Sequence, residues 1–387
     1  MTKKSTRTAT VIGLAGALVA GAAGLQSRVS AAPARRPPIV EVQQKDNKIQ
    51  IAILLDTSSS MDGLIDQAKS QLWKIVNQAA GAEKQGKRPR VEIALYEYGK
   101  ASLSAESGWI RQILPFTTDL DRVSEELFAL RTNGGEEYCG KVIRRAVGDL
   151  QWSASRNDLK LIYIAGNEPF TQGPVDYHAA IAEAKEKGIV VNTIHCGGDE
   201  PTWRDAALVA GGDFLRIDQD KVVAYIPSPQ DDEIRRLGVE LNKTYVGYGA
   251  RAQEAMVRQS AQDKNAEGAM GGAAVARAAA KASVAYDNSG WDMVDGVKKG
   301  SIDLEKVKTE ELPAEMQKMS KDERKAYVDA KTAERDRIQK RIGELTRERE
   351  KFVAAELKNQ GKADGTLDVV VTKSLREQAV KAGFEMK

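Results

Sequence analysis

A carboxylate and two hydroxyls occupy alternate positions in residues 56–61, whose sequence is DTSSSM. Asp56, Ser58 and Ser60 come directly after an apolar run at residues 49–55 that is typical of a buried strand, and a stretch with helical apolar spacing follows them. Open α/β sheets bind ligands in the crevice where strands end and helices begin. Hard oxygen donors, one of them anionic, suit Mg²⁺ or a similar hard cation. The segment therefore predicts a divalent-cation site, with Mg²⁺ as the expected ion and Ca²⁺ or Mn²⁺ as alternatives.

This order of strand, D-x-S-x-S-M motif and helix resembles the von Willebrand factor type A domain with its metal-ion-dependent adhesion site. The resemblance extends from about residue 48 to about residue 225. It implies that Ser58 and Ser60 ligate the ion directly and that Asp56 acts mainly through a water molecule. The alternative interpretation is that the serine hydroxyls only cap the helix that follows.

A second loop of the family supplies a threonine ligand from a pattern like G-G-x-T-x-T-G. The corresponding residues 134–140 of this chain are GGEEYCG, and alignment of the glycines puts Glu137 at the threonine position. The resemblance therefore implies Glu137 as the ligand, with Glu136 and Thr132 as the alternatives. If neither carboxylate binds the ion, both are acidic residues of a first helical turn, where the helix dipole favours them.

The third loop of the family carries an aspartate after the central strand. Residues 165–170 of this chain are AGNEPF, so that the aspartate position falls on Gly166. Asn167, through its amide oxygen, or Glu168, through its carboxylate, would take over this role. The ligand set that the resemblance implies is Asp56, Ser58, Ser60, Glu137 and Asn167.

Predicted strands and helices alternate along the first half of the chain, which indicates an α/β fold with a doubly wound, mostly parallel sheet and right-handed crossovers. The family resemblance implies that the strand at residues 110–116 is an antiparallel edge strand. We predict strands over 49–55, 91–98, 110–116, 159–165, 189–196 and 212–217, and helices over 64–80, 120–130, 138–150, 175–187 and 202–210.

Residues 1–31 have the features of a secretory signal peptide: a basic start, an apolar stretch and an A-x-A-like cleavage site. We therefore expect an exported protein, periplasmic or extracellular, which a membrane would anchor only if this segment stayed uncleaved. Cleavage would remove four of the 58 basic side chains and none of the 55 acidic ones, so that the formal net charge would change from +3 to −1. This balance does not favour nucleic acid as a partner.

The rest of the chain divides by composition into a linker (32–47), the type A-like domain (48–227), a helical, Ala-rich connecting region (228–300) and a charged helical tail (301–387). Apolar residues of the tail follow nearly heptad spacing over two heptads, which Arg349 interrupts. This pattern favours a charged helix that lies on another part of the chain over a coiled-coil dimer. The spaced residues are Ile338, Ile342, Leu345 and Phe352.

The chain contains two cysteines, Cys139 and Cys196, and both should lie near the carboxyl edge of the sheet. In an exported protein such a pair can form a disulfide, which would stiffen the loop that carries Glu137. The closure of so long a chain segment would stabilise the folded protein by about 4 kcal/mol. The alternative is two buried thiols, because a free cysteine packs as a small apolar residue.

A cation with an open coordination position accepts a carboxylate oxygen, so the motif predicts a binding module that captures an Asp or Glu of a protein partner. We expect no enzyme, because the sequence has no Ser/His/Asp arrangement, no paired-carboxylate signature and no phosphate-binding loop. The alternative is a structural scaffold with a vestigial metal site, which would act through its helical tail.

Overall fold

The computed structural model of this chain describes residues 47–218, 220, 225–269, 272–360 and 367–386. The predicted signal peptide at 1–31 and the predicted linker at 32–47, apart from Asn47, lie outside these residues. The described residues belong to one compact unit. No helix in this part of the chain is both long enough and apolar enough to cross a membrane.

Six strands form the central sheet, and two short strands form a second, two-stranded sheet. The strands are β1 (Lys48–Asp56), β2 (Ala82–Glu83), β3 (Arg90–Tyr98), β4 (Ile110–Thr117), β5 (Leu159–Gly166), β6 (Val190–Cys196), β7 (Phe214–Ile217) and β8 (Glu385–Met386). The order in the central sheet is β4-β3-β1-β5-β6-β7. Neighbouring strands are parallel except β4, which runs antiparallel to β3. The predicted fold class is therefore confirmed, and the antiparallel edge strand lies where the resemblance implied.

Helices cover both faces of the central sheet. They are α1 (Asp62–Ala80), α2 (Leu120–Ala129), α3 (Cys139–Asp149), α4 (Tyr177–Glu186), α5 (Pro201–Ala210), α6 (Asp231–Asn242), α7 (Ala252–Gly268), α8 (Ala273–Lys281), α9 (Met293–Lys298), α10 (Lys321–Gln360) and α11 (Leu367–Lys381). Successive strand residues point to opposite faces, so that Ile51 packs with α1, α2 and α11 while Ala52 packs with α3, α4 and α5. The five parallel strands end at one edge, and the loops that follow β1, β3 and β5 meet there.

Helix α11 completes the cover of the sheet although it lies far from β7 in the sequence. It packs along α1, and the Tyr163 hydroxyl of β5 lies 3.1 Å from the Ser374 hydroxyl. Its buried apolar residues are spaced by four, which places them on one face: Leu367, Val371, Leu375 and Ala379. Beyond this helix, β8 pairs antiparallel with β2.

Helix α10, 40 residues long, lies on the chain itself, as the charge pattern favoured. Ile338, Ile342 and Leu345 are buried in the same apolar cluster as α6 and α8. Arg341 forms an ion pair with Glu233 of α6 at 2.9 Å. The regularly spaced apolar residues of this helix thus pack against other helices of the same chain.

Candidate metal centre

The D-x-S-x-S segment forms the first part of the site at the end of β1. Asp56 is fully buried, and its Oδ1 accepts a hydrogen bond from the Ser58 backbone N–H at 2.7 Å. The Ser58 and Ser60 hydroxyls lie 3.2 Å apart. Ser58 precedes a short 3₁₀ turn without capping it through its side chain, and the residue that precedes α1 is Met61. The helix-capping interpretation of the serines therefore does not describe this segment.

Of the three candidate ligands in the second loop, Glu137 enters the site. It is 6 % exposed, and its carboxyl group lies within hydrogen-bonding reach of Asp56 and Ser58. Glu136 is exposed, and the Thr132 hydroxyl bonds to the carboxylate of Asp62 instead.

Close backbone contacts hold this loop against the ends of β1 and β3. The Asn133 N–H donates to the Thr57 carbonyl at 2.9 Å. A Cβ at Gly135 would lie 2.7 Å from the Gly99 carbonyl oxygen. This fit brings the Glu137 side chain next to Asp56.

The end of β5 explains why a glycine stands at the family's aspartate position. A Cβ at Gly166 would lie 2.6 Å from the Tyr98 hydroxyl and 3.1 Å from Asp56 Oδ2. The Tyr98 hydroxyl is fixed there because it donates to the Ala165 carbonyl at 2.9 Å. A side chain therefore has no room at residue 166, and the third loop reaches the site one residue later.

Asn167 is the third-loop residue that contacts the serines. Its Nδ2 donates to the Ser60 hydroxyl at 3.1 Å. The backbone carbonyl of Asn167 lies 3.1 Å from His195 Nε2, and His195 Nδ1 lies 2.8 Å from the Gly198 carbonyl. The histidine thus holds the loop by its backbone and has a structural role.

Glu168 is tied to the second loop through Gln172. The Gln172 amide nitrogen donates to Glu168 Oε2 at 3.3 Å, and its amide oxygen accepts from the Glu137 backbone N–H at 3.2 Å. One side chain therefore sets the spacing between the loops that carry Glu137 and Glu168. Sequence reasoning missed Gln172 and Tyr98, because neither belongs to the motif.

Burial makes the site costly for negative charge. Desolvation raises the pKa of Asp56 to about 6 and that of Glu137 to about 9, and the negative charge of Glu168 adds to both shifts. Asp56 Oδ2, Glu137 Oε2 and Asn167 Oδ1 are buried and receive no hydrogen bond from any described residue. Buried polar atoms normally have a partner, so these three oxygens on three loops are candidate ligands of a hard cation.

The oxygen donors of the candidate site belong to three chemical types. Among the described residues, no group of three or more His, Cys, Asp or Glu side chains could hold a metal ion. The oxygens of this candidate site come from two carboxylates, two serine hydroxyls and one amide. Hard cations such as Mg²⁺ and Ca²⁺ accept all three types.

The predicted disulfide does not form: Cys139 and Cys196 are both buried free thiols. Cys139 packs in the apolar cluster of α3, α4 and α5, whereas Cys196 packs in the cluster on the other face of the sheet. The sheet separates the two side chains, and proximity to the same edge did not bring them together. The alternative of two buried thiols describes both residues.

A comparison with family models matches residues 50–206 to the von Willebrand factor type A domain. Among solved structures, the chain is similar to a von Willebrand factor type A protein from Catenulispora acidiphila (16 % identity, TM-score 0.34, 45 % of this chain and 39 % of that one). It is also similar to proximal thread matrix protein 1 from the mussel byssus with a zinc-occupied MIDAS motif (13 % identity, TM-score 0.37, 46 % of this chain and 43 % of that one). A further similar structure is the SpRpn10 VWA domain (19 % identity, TM-score 0.34, 49 % of this chain and 95 % of that one).

This chain spans less than half the length of the first two of these proteins, and no curated protein matches it. The family assignment therefore rests on the family model together with the α/β sheet. Residues 50–206 of this chain are a von Willebrand factor type A domain.

Proposed function

We propose that this protein is an exported binding module that holds a divalent cation at the carboxyl edge of its sheet and captures an acidic side chain of a protein partner. Domains of this family generally mediate interactions between proteins. The observation that carries the proposal is the set of three buried oxygens without donors, on Asp56, Glu137 and Asn167. A scaffold with a vestigial site has no need for unpartnered oxygens on each of the three loops.

Five residues would hold the ion: Asp56, Ser58, Ser60, Glu137 and Asn167. Mg²⁺ is the expected species, with Ca²⁺ or Mn²⁺ as alternatives. When bound, the ion supplies a Lewis-acidic coordination position. Asp56 and Glu137 would provide two negative charges on the buried side of the ion, since both residues are buried. Ser60 is exposed, so the open position would face solvent on its side and a partner's carboxylate would approach there.

Thermal unfolding in the presence of Mg²⁺, Ca²⁺ or Mn²⁺ tests this proposal. A ligand that binds the folded chain raises its stability by mass action, by about 2.7 kcal/mol at a concentration of 100 Kd. We expect the melting temperature to rise with at least one of these ions and the double variant Ser58→Ala/Ser60→Ala to lose the rise.

Ser59→Ala is the matched control, because Ser59 lies between the two serines, is exposed and belongs to the same turn. It should keep the full response to the metal. The proposal is wrong if millimolar concentrations of all three ions leave the melting temperature unchanged, or if the double variant responds like the unsubstituted chain.

A further inference from the structure

A third acidic side chain lies beside the proposed site without belonging to its ligand set. The amide of Gln172 links the Glu168 carboxylate to the backbone of Glu137 through bonds of 3.3 and 3.2 Å. The Trp203 indole fixes the Glu168 backbone by donating to its carbonyl at 2.7 Å. Glu168 is half-buried, so part of its side chain remains accessible to solvent.

Two basic residues near the end of β3 and the start of β4 contact a different carboxylate. Arg111 contacts the buried Glu97 at 2.5 Å, and Lys100 lies 3.7 Å from the same side chain. The charge of Glu168 acts on both Asp56 and Glu137 and raises the pKa of each. With a divalent ion bound, the three carboxylates would leave the site with one uncompensated negative charge.

We propose that Glu168 determines partner specificity: it disfavours an isolated carboxylate at the open position and favours an acidic residue that has a lysine or arginine beside it. This inference rests on the proposed function. The partner's acidic side chain would take the coordination position, and its basic neighbour would pair with Glu168. The partner fitted by this edge is therefore a segment of mixed charge, and a uniformly acidic segment fits it poorly.

Two capped peptides test the inference by calorimetry on the Mn²⁺-loaded chain: acetyl-Gly-Glu-Lys-Gly-amide and acetyl-Gly-Glu-Gln-Gly-amide. We expect the lysine peptide to bind about three- to fivefold more tightly, as for a solvent-exposed ion pair. In Glu168→Gln the preference should disappear, because the glutamine peptide gains affinity and the lysine peptide loses its pairing. Glu186→Gln, an exposed residue at the end of α4, is the matched control and should keep the preference.

Mn²⁺ binding, measured first in the same experiment, separates this inference from the proposed function. If the unsubstituted chain binds none of Mn²⁺, Mg²⁺ and Ca²⁺, both are wrong. If it binds Mg²⁺ or Ca²⁺ but not Mn²⁺, the two peptides are compared on the chain loaded with that ion. If it binds the ion and binds the two peptides equally well, only the specificity inference is overturned. If it binds the ion but neither peptide, the proposed capture of an acidic side chain is overturned together with it. Complete loss of Mn²⁺ binding in Glu168→Gln would also overturn it, since Glu168 would then be a metal ligand.

Discussion

At the scale of single residues, Gly166 and Tyr98 decide which side chains can reach the site from the third loop. The Tyr98 hydroxyl occupies the space that a side chain at residue 166 would need. The aspartate of the family is therefore replaced by two features together: a buried tyrosine at the end of β3, on the other side of β1, and Asn167 one position later. The carboxylate count is restored from the second loop by Glu137.

Restoring the family's aspartate should therefore damage the fold instead of repairing the site. We expect Gly166→Asp to lower the free energy of unfolding by about 1–3 kcal/mol, the usual cost of forcing atoms into a packed interior. Tyr98→Phe in the same chain should recover part of the loss, because it removes the hydroxyl. Urea unfolding measures both, with Gly198→Asp as the control, since no atom lies within 4 Å of a Cβ there. A Gly166→Asp variant as stable as the unsubstituted chain would contradict this account.

The buried pair of Asp56 and Glu137 makes a second prediction, for pH. Both groups have a higher pKa in the folded chain, about 6 and about 9, than the values of about 3.9 and 4.3 expected in an unfolded chain. Their contribution to stability is thus fully present below about pH 4 and is lost as the pH rises through the folded values. In EDTA we expect this contribution to fall between pH 5 and pH 9.

Urea unfolding of the unsubstituted chain and of Glu137→Gln isolates this effect from the other titrating groups. The difference in stability between the two should change with pH in EDTA and favour Glu137→Gln increasingly at high pH. Saturating Mg²⁺ should reverse this trend, because the cation would replace the proton between the carboxylates. A difference that stays constant from pH 5 to pH 9 would show that the two carboxyl groups are not buried together.

Part of the site could be predicted from sequence. Asp56, Ser58 and Ser60 follow a local motif, and local motifs survive in a single sequence. Glu137 could be chosen over Glu136 from the glycine alignment alone. The roles of Tyr98 and Gln172 depend on contacts between distant segments, and no local spacing reveals them.

At the scale of elements, α11 packs in the apolar layer on one face of the sheet and is not a free charged tail. Sequence reasoning found the alternating strands and helices because buried parallel strands are continuous apolar runs. It missed α11 because more than a hundred residues separate β7 from this helix, although the spacing of its apolar residues is a usable signal. Lys74 of α1 forms an ion pair with Asp368 at 3.1 Å, which fixes the start of α11.

Truncation of the buried face of α11 should therefore destabilise the whole sheet. We expect Leu375→Ala to cost about 2–5 kcal/mol, as for other fully buried leucines. Val380→Ala on the same helix is the control, because Val380 is 56 % exposed, and it should cost less than about 0.5 kcal/mol. Chemical denaturation followed by circular dichroism measures both, and equal costs for the two variants would mean that α11 does not pack on the sheet.

At the scale of the whole molecule, a buried ion pair joins the helices after β7 to the type A domain. Arg277 of α8 contacts Asp121 of α2 at 2.7 Å, and both side chains are nearly inaccessible to solvent. The Tyr286 hydroxyl donates to the same carboxylate at 2.6 Å. The Arg277 guanidinium lies over the ring of Trp73 in α1, 4.6 Å from its centroid. These contacts fix α8 and Tyr286 against α1 and α2.

Removal of this arginine should weaken the molecule as a unit. Arg277→Ala leaves Asp121 buried without its cation, which costs about 3–5 kcal/mol in comparable pairs. Arg235→Ala, which removes an exposed pair with Asp232, should cost less than about 1 kcal/mol. The unfolding curve of Arg277→Ala should remain a single transition. A separate early transition of the helical part would instead mean that the two parts fold independently.

The central claim, a cation held at the carboxyl edge of the sheet, is tested most directly by anomalous X-ray scattering from crystals of the chain grown with Mn²⁺. The account predicts one strong peak between Asp56, Ser58, Ser60 and Glu137, with oxygen distances of about 2.0–2.6 Å, the range of hard divalent cations. A fully loaded crystal without density at this edge, or with its peak elsewhere on the chain, would contradict the account.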